Sequence, residues 1–154
     1  MPVMREKLMV KMRMEAEAKS HSRTDVSVRG LVCVIDEPVE RGGTNLGMSP
    51  TETLIAALLS CTNVIGHKVA RRMGIEIASM KIRAEVDFDR RGVTLAEDVA
   101  VPFPAITMTI DVTTAADATQ MEQLRRELAM YCPIAKVIRA AGTELTEVWN
   151  VHQG

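Results

Sequence analysis

The chain has 154 residues, with 19 Lys and Arg against 20 Asp and Glu, and only one Trp, one Tyr and two Phe. A net charge of −1 gives no basic field for nucleic acid, and so few aromatic rings cannot form a base-stacking platform. The length predicts a single domain over residues 1–154 that buries its own core without disulfide or metal staples. No run of 18 apolar residues and no leader pattern is read. The expectation is therefore a cytoplasmic chain without a membrane span, in a reducing compartment where its three cysteines are free, catalytic or metal-bound.

Residues 8 to 18 alternate, Leu8, Val10, Met12, Met14, Ala16 and Ala18 against charged neighbours, which predicts a half-buried strand. Ser20 to Asp25 is polar and reads as a turn. Val26 to Ile35 is apolar on both faces apart from Ser27 and Arg29, and predicts a second, more buried strand. Arg41 to Met48, rich in glycine, reads as a flexible loop. Ser49-Pro50-Thr51-Glu52 then places Ser at an N-cap, Pro at the first helical position and Glu three residues after the cap. The helix runs to about Met73, stops at Gly74, and is apolar almost all round, which places it in a core.

Strand alternation returns at residues 80 to 89 and from Ile106 to Thr113. The segment from Arg90 to Pro104 has no assignable pattern. Ala115 to about Met130 reads as an amphipathic helix, Pro133 to Ala141 as a further helical segment, and Thr143 to Val151 as a last strand. Strand pairs alternating with helices predict an α+β domain with a mainly antiparallel sheet and a central buried helix.

Two cysteines fall on helices. Cys61 shares a face with Leu54, Leu58 and Ile65, and by itself reads either as a packed core thiol or as a nucleophile. Cys132 directly precedes Pro133. Proline inside a helix costs about 3 kcal/mol but is tolerated at the first helical position, so the helix breaks and restarts with Cys132 near the new N-cap. A thiol there meets partial positive charge, which favours thiolate; the alternative is a kink with an incidental Cys.

The segment Ser49-Pro50-Thr51-Glu52-Thr53-Leu54, continued by Ala56-Ala57-Leu58-Leu59-Ser60-Cys61-Thr62, resembles the OsmC/Ohr family. So does Tyr131-Cys132-Pro133-Ile134-Ala135-Lys136. The two motifs occur in the family's order, and the likeness covers nearly the whole chain. It implies an OsmC-like fold, an intertwined homodimer, and a thiol peroxidase that reduces organic hydroperoxides in stress defence. On that likeness Cys61 is the peroxidatic residue and Cys132 the resolving one, closing a disulfide through a Cys61 sulfenic acid. No bound cofactor is implied; an external dithiol, of the kind lipoylated proteins carry, restores the thiols.

A thiolate nucleophile in an apolar pocket needs a nearby cation, since burial alone favours the neutral thiol. The family draws an Arg from the turn between its first two strands, held by a Glu near the start of the central helix. Glu52 matches that Glu and also reads as the capping-box partner of Ser49. Arg23 is the better match for the Arg. Arg29 competes but lies inside the second predicted strand, which suits a cross-strand or edge role. Tyr131 before Cys132, and Ala135 where Ser is common, depart from the family pattern.

Other features carry less. Cys33, in the apolar second strand, reads as packing. His21, His67 and His152 are scattered, and no metal-ligand spacing occurs. Gly42 to Ser49 resembles a P-loop, but Met48 stands where the phosphate-binding Lys belongs, and Pro50 removes an N–H from the helix start. The rival function is a non-catalytic binding protein for a hydrophobic small molecule in the dimer crevice.

Overall fold

The computed structural model describes residues 8–154. They form two compact units, the first ending at Leu54 and the second running from Ile55 to Gly154. The first unit holds an antiparallel sheet of β1 (Glu15–Ala18), β2 (Thr24–Val28) and β3 (Leu31–Ile35), in that order. The strand expected over residues 8 to 18 is thus formed only at its end, where Glu15 to Ala18 face Ser27 to Thr24. All of Leu8 to Ala18 is exposed, Leu8 at 97%. The alternation is real, but β1 is an edge strand whose side chains are all exposed.

The run from Val26 to Ile35 is a hairpin rather than one strand. Arg29 and Gly30 both have positive φ, 53° and 77°, the two-residue turn whose twist suits a hairpin. Arg29 therefore sits at the turn and not within a strand. Cys33, read as packed, lies opposite Val26 on β3 and is exposed.

After β3 the chain is pinned by one carboxylate. Asp36 is fully buried, and its side chain accepts hydrogen bonds from the N–H groups of Glu37 (2.8 Å), Thr44 (3.2 Å) and Leu46 (3.2 Å) and from the Thr44 hydroxyl. Those bonds fold the loop back, so that the Asp36 N–H reaches the Met48 carbonyl. A Cβ on Gly43 would stand 1.9 Å from the Glu37 oxygen, and one on Gly47 2.0 Å from the Val34 oxygen. The glycines that mimic a P-loop thus permit close backbone approach, and the loop read as flexible is tied down.

Helix α1 (Pro50–Arg72) opens with the capping box read from its sequence. The Ser49 N–H donates to Glu52 Oε2 (2.9 Å), and the Glu52 N–H to Ser49 Oγ (3.3 Å). α1 is long and apolar enough to cross a membrane by length and composition alone. Its apolarity has a use in the second unit, where Leu58, Thr62, Gly66, Val69 and Ala70 are buried along one face. The opposite side, including Val64, is exposed, so the helix is not covered all round as expected.

The second unit is a sheet of β4 (Ile77–Val86), β5 (Ala105–Thr114) and β6 (Glu144–Gln153), with β5 central. β4 and β5 are antiparallel, but β5 and β6 are parallel. The reason is the crossover α2 (Ala118–Tyr131) and α3 (Pro133–Ala140), which returns the chain along the sheet. The connection from Asp87 to Pro104 closes on a stack of Phe88 on Phe103 (5.0 Å between centroids) and on Arg91, paired with both Asp89 and Glu97. Every second residue of β5, Ile106, Met108, Ile110, Val112 and Thr114, is buried. Leu58 of α1 joins Leu128, Cys132, Ala135 and Ile138 over Ile106 to Ile110, while Val69 and Ala70 join Met121 and Leu124 over Val112.

The hydrogen bond from Thr44, above all, with the Glu37 and Leu46 amides, holds the Asp36 carboxyl far below the ordinary carboxylate range against the opposing effect of burial. A depressed folded pKa means stability present above the unfolded value of about 3.9 and lost as pH falls through the folded value. Amide exchange at Thr44 and Leu46, taken relative to the intrinsic rate at each pH, should therefore be slow at about pH 5 to 7 and quicken as pH drops below about 4. Asp36→Asn should speed it about tenfold or more at neutral pH. Unchanged exchange in that variant would show that the loop does not depend on the charge.

Candidate active site

The second unit brings together two of the four residues singled out from sequence. Cys61 lies in the middle of α1, half-buried, and packs against the apolar cluster that contains Cys132. Cys132 ends α2 and is the N-cap of α3, with Pro133 at the first position of the new helix. Its backbone is extended there (φ −73°, ψ 107°), so proline's lost N–H falls where a helix has none to satisfy. Both cysteines are free thiols. The surroundings are aliphatic: Leu58, Ile106, Met108, Leu128, Ala135 and Ile138. Thr62, next to Cys61, keeps its hydroxyl on the Leu58 carbonyl (2.8 Å) and toward the Met108 sulfur (3.7 Å).

The helix N-terminus does not make Cys132 a thiolate. Burial pushes its thiol above the ordinary range, and the adjoining Cys61 opposes its ionisation further. The amides of Ala135 and Ile134 pull the other way but close no capping hydrogen bond and do not prevail. The expectation of a thiolate-favouring site therefore fails at this residue: desolvation outweighs the helix dipole.

The other two residues lie in the first unit. Arg23, on the turn between β1 and β2 as expected, donates to Asp25 through Nε (2.8 Å) and Nη2 (3.0 Å). That bidentate pair raises the Arg23 pKa and lowers that of Asp25. Glu52 is exposed and holds the Ser49 N–H. Each thus has a partner of its own rather than the other. Sequence reading missed Asp25 and the buried Asp36; an acid two positions from Arg23 in a strand, on the same face, was the available signal for the first.

Among the described residues no group of three His, Cys, Asp or Glu side chains is gathered for a metal. An open cavity of about 420 Å³ lies where α1 gives way to β4, lined by His67, Arg71, Ile75 and Glu76 among others and by neither cysteine.

Residues 43–147 match the OsmC-like protein family, and the chain belongs to it. The fold agrees. A hypothetical protein from Aquifex aeolicus VF5 superposes with a TM-score of 0.76 at 17% identity, over 95% of this chain and 99% of that one. An organic hydroperoxide resistance protein OsmC from Legionella pneumophila gives 0.68 at 16% identity, over 94% and 99%. The organic hydroperoxide resistance protein OhrB of Bacillus subtilis gives 0.60 at 19% identity, over 92% and 98%. No curated protein sequence matches the chain significantly.

In a chain carrying both Cys33→Ser and Cys61→Ser, thiolate absorbance from Cys132 near 240 nm should develop only above about pH 8.5. Burial, the larger cause, survives the substitution. Ionisation below pH 7 would mean that the helix N-terminus prevails after all.

Proposed function

We propose that the protein is a thiol-dependent peroxidase for organic hydroperoxides. The observation that supports this is the meeting of two free thiols, Cys61 and Cys132, in one apolar cluster. Cys61 is the less buried of the two and takes the first step. Its thiolate attacks the distal peroxide oxygen, the O–O bond breaks, the alkoxide leaves as alcohol after gaining a proton, and Cys61 becomes a sulfenic acid. The neutral Cys132 thiol then condenses with the Cys61 sulfenic acid: the S–S bond forms, the S–O bond breaks, and the hydroxyl leaves with the thiol proton as water. An external dithiol, of the lipoyl type, reduces the disulfide by exchange and is itself oxidised.

Arg23 and Glu52 enter the proposal on family resemblance. Arg23 would favour the attacking thiolate, and Glu52 would orient it in addition to capping α1. The apolar lining suits alkyl peroxides over hydrogen peroxide, because an alkyl group gains from leaving water and a second hydroxyl does not. The reading also includes a homodimer. In the first unit Leu8, Met9, Val10, Met12, Leu31 and Val32 are exposed, and in the second Val64, Met130 and Val137. Two copies that cover these side chains would remove a large apolar area from water.

Stoichiometric cumene hydroperoxide should give a Cys61–Cys132 disulfide by mass spectrometry. Cys61→Ser should lower the turnover rate at least about 100-fold. Cys132→Ser should leave one turnover and let the sulfenate be trapped by dimedone. Arg23→Ala should slow the first step about tenfold or more. Absence of the disulfide in the wild type would overturn the peroxidase reading. Light scattering should give twice the chain mass; a monomer would remove the dimer.

A further inference from the structure

The proposed chemistry needs two sulfurs on different helices to come within disulfide reach, which constrains Cα atoms to about 4.4–6.8 Å. α1 and α2 share two apolar clusters: Val69 and Ala70 lie in one with Met121 and Leu124, and Leu58 in another with Leu128 and Cys132. Apolar packing of this kind holds helices against the sheet but is non-directional, and it resists sliding along the axis only through side-chain interdigitation.

Among the described residues, a polar contact joins the two helices. Arg72, the last residue of α1, donates from Nη2 to Glu127 Oε2, and its guanidinium carbon lies 5.2 Å from the centre of the Tyr131 ring. Glu127 is itself fixed by Gln123, whose amide donates to Oε1 (3.1 Å). Glu127 and Tyr131 are four apart on α2, hence on one face, and Tyr131 is covalently next to Cys132. Arg72 is on the helix that carries Cys61. A planar cation held by a carboxylate on one side and a ring on the other fixes both distance and angle, which a Lys would not do.

We propose that Arg72, through Glu127 and Tyr131, is a positioning residue that sets the register of α1 against α2 and thereby favours closure of the Cys61–Cys132 disulfide. The inference rests on the pairing of those two thiols and not on peroxide as their oxidant. The Arg72 side chain is 58% exposed, so the contact adds little to global stability and its effect belongs to geometry.

The test is equilibration of the full chain with mixtures of oxidised and reduced dithiothreitol. Two Cys thiols pass to the disulfide as cyclic dithiothreitol is reduced to its dithiol, and the fraction oxidised is read by mass spectrometry. Arg72→Ala and Glu127→Gln should shift the equilibrium at least about threefold toward the dithiol, about 14 mV for this two-electron couple, with an unfolding midpoint close to that of the wild type. Tyr131→Phe keeps the ring and should match the wild type; Tyr131→Leu should shift with Arg72→Ala. Consumption of the Cys61 thiol by peroxide should be unaffected by Arg72→Ala, while dimedone trapping of its sulfenic acid should rise, since only closure is slowed. If Arg72→Ala unfolds, Arg72→Lys and Glu127→Gln carry the measurement. Wild-type equilibria in both Arg72 and Glu127 variants would overturn the proposal, as would a wild-type chain that forms no Cys61–Cys132 disulfide with dithiothreitol. A disulfide with dithiothreitol but none with hydroperoxide would overturn the peroxidase reading and leave this one standing.

Discussion

The inner face of β5 is the constraint on which the second unit depends. Its alternate side chains from Ile106 to Thr114 are buried, and the strand has a neighbour on each side. α1 and the α2–α3 pair lie on that face, so two helical segments far apart in sequence share one apolar surface. The parallel pairing of β5 with β6 belongs to the same arrangement. The chain must travel back along the sheet to begin β6, and a helical crossover does so while adding to the cover of β5. The break at Pro133 lets that crossover bend while Leu128, Cys132, Ala135 and Ile138 all stay on the buried side.

At Cys132 two electrostatic effects meet, and their relative size decides its chemistry. A helix N-terminus contributes roughly half a unit charge, spread over several amides and felt within the first turn. Desolvation acts on the whole charge of a thiolate. In an aliphatic cluster with a second sulfur beside it, desolvation is larger, and the thiol stays protonated. The two cysteines are therefore unequal before any reaction begins. One is half-buried in mid-helix, and the other is a buried neutral thiol at a helix junction, which suits a group that waits for a sulfenic acid rather than one that attacks peroxide.

Much of this was legible in the chain itself, and the misses have physical causes. The capping box at Ser49, the stop at Gly74 and the restart at Pro133 were read correctly because each depends on neighbours within four residues. The hairpin at Arg29-Gly30 was missed because the flanking residues are apolar on both sides and only one of the two turn residues is a glycine. The parallel β6 was missed because strand direction depends on tertiary packing, which period two does not encode. The Asp36 loop was misread as flexible because Gly and Asn promote both mobility and tight turns; what separates them is a buried acceptor eight to ten residues away. At the candidate site, the helix break that puts Cys132 at a junction before Pro133 was legible from local pattern, whereas the partners of Arg23 and Glu52 required coordinates.

The exposed apolar residues follow from the same distinction between geometry and cover. Alternation along residues 8 to 18 reports that one face of an extended chain is apolar; it does not say what lies against it. The apolar perimeter of α1 likewise reports that several faces avoid water, and in the second unit only one of them meets the sheet. Each signal reports the chemistry of a surface and not what covers it. Burial on folding of one chain and burial on association obey the same area dependence, so a sequence records their sum. Where the structure of one chain leaves part of that sum exposed, as at Leu8 to Met14 and at Val64 and Val137, the remainder is an argument for association.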